Sequence, residues 1–451
     1  MPVKVQPRGA EALFAEEVPP FSSEDEALFE AERCLLCGGK EAPAPCVAAC
    51  PARVDVPLFI KQILERDHEA SGRTIFAANV LGGTCARVCP VDELCEGACV
   101  LHEEGRRPVA IGRLQRFATD WVLERGLEYL ERGRPNKRSV GVIGAGPAGL
   151  ACAAELAKLG YRVTVYERDP DLGGLVTRAI APYKQHIEPL PQEAERIARL
   201  GVEFRLGQAV GESPTFEELE RRHQALFLGI GMGKDVEVRW EGDDLEGVYE
   251  SLPFIEELKL GDPRRLRIGE RVAVIGGGNT ALDVAREAVR LGAKDVMILY
   301  RRTEEQMPAF KKEVKWARKE GVHFYWLVAP KRLRGTSRVE GIECLYMRLG
   351  APDASGRPRP EPVPGTEFVL PVDTVVKAIG QQPRTEVLKL IPGLELDGGL
   401  VKVDPETLQT SNPRYFAGGD CINGGATVVQ AVRDGKLAAA GIDHYLSSGR
   451  G

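Results

Sequence analysis

At 451 residues the chain exceeds what one hydrophobic core usually supports, about 250–300 residues, so two or three domains are expected. A formal charge of −6 at pH 7 leaves no basic footprint and argues against a nucleic-acid partner, while 43% apolar residues, 50 glycines and 31 prolines exclude wholesale disorder in favour of an α/β protein rich in turns. The opening "MPVKVQPRGAEALFAEEVPP" has no apolar stretch of signal-peptide length and no 18-residue apolar run follows, so a cytoplasmic chain that does not enter a membrane is expected.

Eight of the eleven cysteines precede residue 100. In a reducing compartment such crowding signals metal binding or redox chemistry more often than structural disulfides. Cys34-x2-Cys37 is followed by Cys46-x3-Cys50-Pro51, and Cys85-x3-Cys89-Pro90 by Cys95-x3-Cys99. A C-x3-C-P ending fits the bacterial ferredoxin pattern better than the paired knuckles of a zinc ribbon, so iron-sulfur is favoured over structural zinc. The eight residues "GGKEAPAP" stand where a ferredoxin has two; their Gly and Pro content lets the loop bulge away. Next, "VAIGRLQRFATDWVLERG" places Ile111, Leu114, Ala118, Trp121 and Val122 at helical intervals as one apolar stripe. Gln115 falls on that stripe, and from spacing alone it reads as a buried amide satisfied by a backbone group.

After the polar linker "ERGRPNKR", the segment "VGVIGAGPAGLACAAELAKLGYRVTVYERD" predicts strand, glycine turn, helix, strand. Gly144, Gly146 and Gly149 form G-x-G-x-x-G: the first permits a tight turn, the second lets backbone approach a pyrophosphate, and the third lets the helix pack against the strand. Glu167, 23 residues after Gly144, closes the second strand where ribose hydroxyls would be accepted. The pattern returns 132 positions later with Gly276, Gly278 and Ala281, and Asn279 lies within that turn. Here the second strand ends in Arg301 and Arg302, whose guanidinium groups suit a 2′-phosphate and so favour NADPH over NADH. "ALFLGIGMGKD" and "TVVKAIGQQP" each read as a buried strand followed by a glycine turn. "YFAGGDCINGGATVVQAVRDGKLAAAGIDHYL" reads as strand, Asp420, and a glycine-rich entry to an apolar helix. One nucleotide domain interrupted by another is expected.

These elements, Gly144 to Glu167, Gly276 to Arg302, and Gly419-Asp420 with the final helix, resemble the two-dinucleotide-binding-domain flavoprotein reductases. With the N-terminal cysteines, nearly the whole chain resembles the family of the small (β) subunit of NADPH-dependent glutamate synthase. That family takes in the N-terminal part of dihydropyrimidine dehydrogenase and the large subunit of NADH-dependent ferredoxin:NADP reductase. The resemblance implies an α/β fold of two Rossmann-like domains preceded by an α-helical iron-sulfur domain. It implies a domain with two 4Fe-4S clusters over 1–135, an FAD-binding domain over 136–252 and 368–451, and an NADPH-binding domain inserted at 253–367. FAD would lie against Gly144, Gly146, Gly149, Glu167, Gly174, Gly419, Asp420 and Thr427, and NADPH against Gly276, Gly278, Asn279, Ala281, Arg301 and Arg302. Cluster ligation is crossed in the family, so Cys34, Cys37, Cys46 and Cys99 resemble one ligand set. Cys50, Cys89 and Cys95 resemble the other, its fourth member being Gln115, at the position of a glutamine ligand in dihydropyrimidine dehydrogenase; Cys85 is left as a spare thiol. Within the family, "RRTEEQMPAFKKEVKWARKEG" looks like the glutamate synthase side and "CARVCP" with "IGRLQRF" like the pyrimidine side, while the segment after Gly173-Gly174 lacks a Gly-Ile-Pro that many relatives carry.

The implied activity is an NADPH-oxidising flavoprotein passing electrons through its clusters to a larger catalytic subunit, foremost of the glutamate synthase type. A dihydropyrimidine dehydrogenase-like catalytic subunit or ferredoxin are the alternatives. A non-catalytic relay or structural module is a further alternative, which the intact glycines and Arg301-Arg302 argue against. Thiol relay is disfavoured, because the inserted segment carries Cys344 alone.

Overall fold

A computed structural model describes residues 14–39, 42–352 and 356–448; Lys40 and Glu41 of the loop expected to bulge, and the first thirteen residues, lie outside them. The N-terminal region is helical: α1 (Glu24–Ala31), α2 (Pro45–Ala49), α3 (Val56–Leu64), α4 (His68–Ala78), α5 (Gly82–Val88) and α6 (Ile111–Glu124). Side chains start several of these helices, Ser23, Asp55 and Asp67 accepting backbone N–H groups of α1, α3 and α4, which satisfies donors a helix leaves open at its first turn. On α6, Ile111, Leu114, Ala118 and Val122 are buried as the stripe predicts. Trp121 sits at the stripe's edge, half-buried, with His68 against one side and Arg125 4.1 Å from its ring centre.

The chain then builds β1 (Ser139–Ile143), α7 (Pro147–Lys158), β2 (Arg162–Tyr166), α8 (Leu175–Arg178), α9 (Leu190–Arg199), β3 (Glu203–Arg205), α10 (Phe216–Arg222) and β4 (Ala225–Leu228). It leaves this layer for β5 (Val248–Glu250), α11 (Ser251–Lys259), β6 (Arg271–Ile275), α12 (Asn279–Arg290), β7 (Asp295–Tyr300), α13 (Lys311–Lys319) and β8 (His323–Trp326). Antiparallel strands follow, β9 (Val328–Gly335), β10 (Val339–Pro352), β11 (Pro358–Pro362) and β12 (Phe368–Leu370), with the long β10 pairing all three others, before β13 (Thr374–Lys377). The return brings α14 (Thr385–Leu388), the short pair β14 (Leu396–Asp397) and β15 (Leu400–Val401), β16 (Tyr415–Ala417), α15 (Asp420–Asn423) and α16 (Val428–Ser447).

Two parallel sheets result, ordered β16-β4-β1-β2-β3 and β5-β13-β6-β7-β8. Their central strands are buried on both faces, which is why they read as continuous apolar runs. The exchange between domains falls elsewhere than the expected breaks at 252/253 and 367/368. Val248–Glu250 and Thr374–Lys377 pair with each other and with β6, and so belong to the second sheet. "TVVK" reads the same for any buried parallel strand, and only long-range pairing decides which sheet takes it. The two connections between the sheets run side by side, Asp235 bridging antiparallel to Gln381, with backbone bonds between Gly233 and Gln382 and between Val236 and Gly380.

The helical region and the first sheet share one apolar core that runs from Ala27 and Phe59 through Leu114 to Val140, Leu156 and Ile442. The second sheet has a core of its own around Phe254, Leu282 and Ile298. No helix among the described residues is long and apolar enough to cross a membrane.

Candidate functional site

The eight clustered cysteines line two cavities. Cys34, Cys37, Cys46 and Cys99 surround the first, together with Leu35, Val56 and Pro57. Cys50, Cys89, Cys95 and Gln115 surround the second, with Cys85, Asn79 and Val429 completing its wall. Each cavity therefore takes residues from both cysteine groups. The backbone makes this crossing: Cys50 follows α2 directly, α5 presents Cys85 and is capped by Cys89, and Cys95 and Cys99 lie on the turns that follow. The thiols line the walls of two spaces, an arrangement that suits an inorganic core with an iron at each corner.

Burial pushes the Cys46 thiol up to about 11 and also raises Cys34 and Cys50. Cys95 is lifted by burial and by the neighbouring Glu96, and Cys89 by hydrogen bonding to Cys85 and then by burial. Crowded, desolvated thiols resist ionisation unless a cationic centre compensates. An iron core supplies that compensation, so the residues fit the cluster the cysteine spacing predicts.

Gln115 lies on the wall of the second cavity. Its Nε2 donates to the Gly82 carbonyl at 2.7 Å, which leaves the amide oxygen as its remaining acceptor beside the second cavity. The bland reading, an amide satisfied by backbone, is thus half realised, and the same bond orients the other half.

The nucleotide turns have the expected shapes. Gly144 has φ 98°, and a Cβ there would meet the Gly229 carbonyl oxygen at 2.4 Å. Gly146, the N-cap of α7, faces open space, and a Cβ on Gly149 would lie 2.0 Å from the Gly144 oxygen. Tight turn, open floor and close packing thus fall on the three glycines in the order assigned. Glu167 is buried and braces the turn, Oε2 accepting from Ala145 N at 2.7 Å and Oε1 from Asp169 N at 2.9 Å. Gly174 comes up against Gly146, and Gly419 against Ala148. Gly419 N donates to Asp434, Asp420 accepts from Ala426 N, and Thr427 caps α16 through a reciprocal pair with Gln430. The helix thus directs its positive end toward the same crevice.

At the second turn, Gly276 approaches the Ala378 carbonyl, Gly278 faces open space, and Ala281 is buried in the α12 packing. Asn279 Oδ1 accepts from Phe310 N at 2.9 Å, tying the following loop over the turn. The two arginines part company: Arg301 is exposed at the end of β7, whereas Arg302 is buried and donates from Nε to the Pro358 carbonyl at 2.9 Å. Their adjacency in sequence hides this, since neighbouring side chains at a strand end point to opposite faces. Cys344 is buried in β10, and Cys421 packs with its thiol against the Leu228 and Gly418 carbonyls.

Three groups that join the cysteine-lined cavities to the flavoprotein part carry no sequence signal. Glu193 on α9 accepts from Gly83 N at 2.7 Å, Thr84 N at 3.2 Å and Thr84 Oγ1 at 2.6 Å, capping α5 from another domain. Lys436 on α16 donates to the Ala52 and Ala78 carbonyls. Val429, the second residue of α16, forms part of the second cavity's wall.

Residues 11–127 match the family described as dihydropyrimidine dehydrogenase domain II, 4Fe-4S cluster, and residues 138–435 match pyridine nucleotide-disulphide oxidoreductase. The glutamate synthase [NADPH] small chain of Escherichia coli K12 is 38% identical over 96% of this chain and 94% of its own length. The NADP(+)-dependent formate dehydrogenase subunit beta of Moorella thermoacetica is 39% identical over 90% of this chain and 60% of its own. FprA from Mycobacterium tuberculosis, solved in complex with NADPH, shares the fold at TM-score 0.58 and 21% identity, over 70% of this chain and 86% of that one. With cysteine-lined cavities docked on paired dinucleotide turns, the chain belongs to the glutamate synthase small-chain family and is an NAD(P)H-dependent flavoprotein oxidoreductase, an electron-input protein using FAD, NADPH and 4Fe-4S chemistry.

Proposed function

We propose that the chain is the NADPH-oxidising subunit of a glutamate synthase-type assembly and holds two 4Fe-4S clusters in series between its flavin and a larger catalytic subunit. The observation that carries this is the unequal setting of the two cavities. The second is walled on one side by Val429 of the final helix, whose N-terminus faces the FAD crevice. The first is walled by residues of the helical domain alone. Leu35 on its wall is exposed by 55%, and the chain neighbours of its lining residues, Leu36 and Leu58, by 38 and 41%. Leu36 lies between two of the ligand cysteines with φ 49°, a left-handed conformation a leucine adopts only under constraint.

When bound, the flavin accepts electrons in pairs from NADPH and releases them singly, which is the form an iron-sulfur cluster takes. The protein's part is placement. The glycine turns hold the two dinucleotides, Glu167 would accept the FAD ribose hydroxyls, and Arg301 would read the NADPH 2′-phosphate. Cys50, Cys89, Cys95 and Gln115 would hold the cluster nearer the flavin, and Cys34, Cys37, Cys46 and Cys99 the outer one. The outer rim, apolar and exposed, suits a partner surface that excludes water around the exit point. Ferredoxin is a weaker fit: a transient redox partner needs little apolar contact.

The test uses anaerobically prepared holoprotein and the glutamate synthase large subunit of the same source. Leu35→Glu with Leu58→Glu should leave NADPH-dependent reduction of a small soluble dye intact and abolish co-elution with the large subunit. Undiminished co-elution and glutamate formation would overturn the proposed exit surface.

A further inference from the structure

The final helix carries a positive charge to the flavoprotein side of the second cavity. On α16, Val429, Val432 and Lys436 follow at helical spacing and share a face. Val429 lies on the cavity wall and Val432 is fully buried. Two turns past Val429, Lys436 Nζ donates to the Ala52 carbonyl at 3.4 Å and to the Ala78 carbonyl. Ala52 stands two residues beyond Cys50 and Ala78 directly precedes Asn79, and both Cys50 and Asn79 line the cavity. The residue before the lysine, Gly435, backs onto α7 so closely that a Cβ would stand 2.2 Å from the Ala148 carbonyl oxygen. Adjacent positions of one helix therefore press on the helix of the FAD turn and reach toward the cavity wall. Both partners of the ammonium are neutral carbonyls, which satisfy its donors without cancelling its charge, and a part-buried cation so placed favours an anionic neighbour.

We infer that Lys436 is a positioning residue for electron entry: its ammonium ties the Ala52 and Ala78 segments of the cavity wall to the final helix and, by its charge, raises the reduction potential of the inner cluster. The inference rests on the two-cluster reading above. A 4Fe-4S core held by the thiolates of Cys50, Cys89 and Cys95 is anionic. Its reduction takes one electron from the reduced flavin and adds one further negative charge to the cluster. A fixed cation beside the wall stabilises that more negative form over the oxidised one, which makes the inner cluster the better acceptor.

The test is an anaerobic redox titration of the holoprotein followed by electron paramagnetic resonance, with iron and inorganic sulfide measured on the same samples of wild type, Lys436→Gln and Lys436→Arg. The inner cluster's signal is identified as the one that Cys95→Ala alters. Lys436→Gln keeps a hydrogen-bond donor without the charge. Its iron and sulfide are expected to match wild type, while the inner cluster's midpoint moves to lower potential and the outer cluster's stays. Lys436→Arg keeps the charge and is expected to hold the inner midpoint near the wild-type value. An unmoved inner midpoint in Lys436→Gln would overturn the inference, as would an equal shift of both clusters or a Lys436→Arg midpoint as low as that of Lys436→Gln. Loss of the inner cluster's iron from Lys436→Gln would leave Lys436 a structural brace and also overturn the role of its charge. Wild-type protein containing iron for one cluster alone would instead overturn the two-cluster reading, and this inference with it.

Discussion

Arg301 and Arg302 show how differently two identical neighbours can act. Arg301, exposed beyond β7, is the group free to meet a 2′-phosphate, whereas Arg302 is buried and donates to the Pro358 carbonyl. A charge-assisted hydrogen bond contributes about 1.5–3 kcal/mol. Arg301→Ala should therefore lower the preference for NADPH over NADH, as the ratio of kcat/KM values, by about 10-fold to 100-fold. Arg302→Ala should leave that ratio within about twofold, its cost appearing as lost thermal stability because the half-buried Pro358 carbonyl loses its donor. An equal fall in cofactor preference for both variants would show that the pair acts as one site. Gln115 as a candidate ligand was visible in "IGRLQRF" only by resemblance, and its anchoring to Gly82 depends on how α5 and α6 cross, which no local pattern encodes.

The short helix α5 is where the domains meet. It has no cap from its own segment; Glu193 reaches from α9 to take its first N–H groups and the Thr84 hydroxyl. Glu193→Ala leaves these buried donors unsatisfied and should destabilise the iron-sulfur region by about 1–3 kcal/mol, seen as earlier loss of the cluster absorbance on heating. Burial lifts the Glu193 carboxyl from 4.5 to about 7, offset in part by the Thr84 and Gly83 bonds. The folded chain thus retains a proton there that the unfolded chain releases. The stability tied to that proton is complete below about pH 4.5 and is lost as pH rises to about 7. Glu193→Gln should flatten this stretch of the stability profile, and an unchanged slope would show that Glu193 ionises normally. The glycine turns of α7 and α12 were legible because their constraints are local, a strand, a tight turn and a helix within some thirty residues. The exchange strands β5 and β13 were not, because membership of a sheet is decided by partners more than a hundred residues away.

At the scale of the whole molecule, the helical region and the FAD-type sheet share a core, so the cluster cavities are fixed relative to the flavin crevice. The inserted domain instead has its own core. It is joined by two antiparallel connections and by a buried ionic patch: Lys184 Nζ lies 2.7 Å from Asp283 and 2.8 Å from Glu313, and Lys259 donates to the Val176 and Ile180 carbonyls. Burial works against the Lys184 charge, but Asp283 and Glu313 outweigh it and hold its pKa above the ordinary value. Lys184→Met would leave two carboxylates unpaired, a loss of about 3–5 kcal/mol. Hydrogen exchange should accelerate across α12 and α13 while α5 and α6 keep their protection; uniform acceleration would contradict the division into one rigid pair and one separately docked domain. The cysteine spacing made an iron-sulfur domain legible, and the repeated glycine turns made the nested nucleotide domains legible. The docking between them was not, since it rests on scattered groups such as Glu193, Lys184 and Lys436, whose partners lie far along the chain. The central claim, two clusters wired to one flavin, is tested most directly by measuring iron, inorganic sulfide and FAD in anaerobically isolated protein while following its reduction by NADPH with electron paramagnetic resonance. Two distinct 4Fe-4S signals appearing alongside flavin bleaching are predicted. Flavin bleaching in protein that contains zinc or lacks inorganic sulfide would contradict the account.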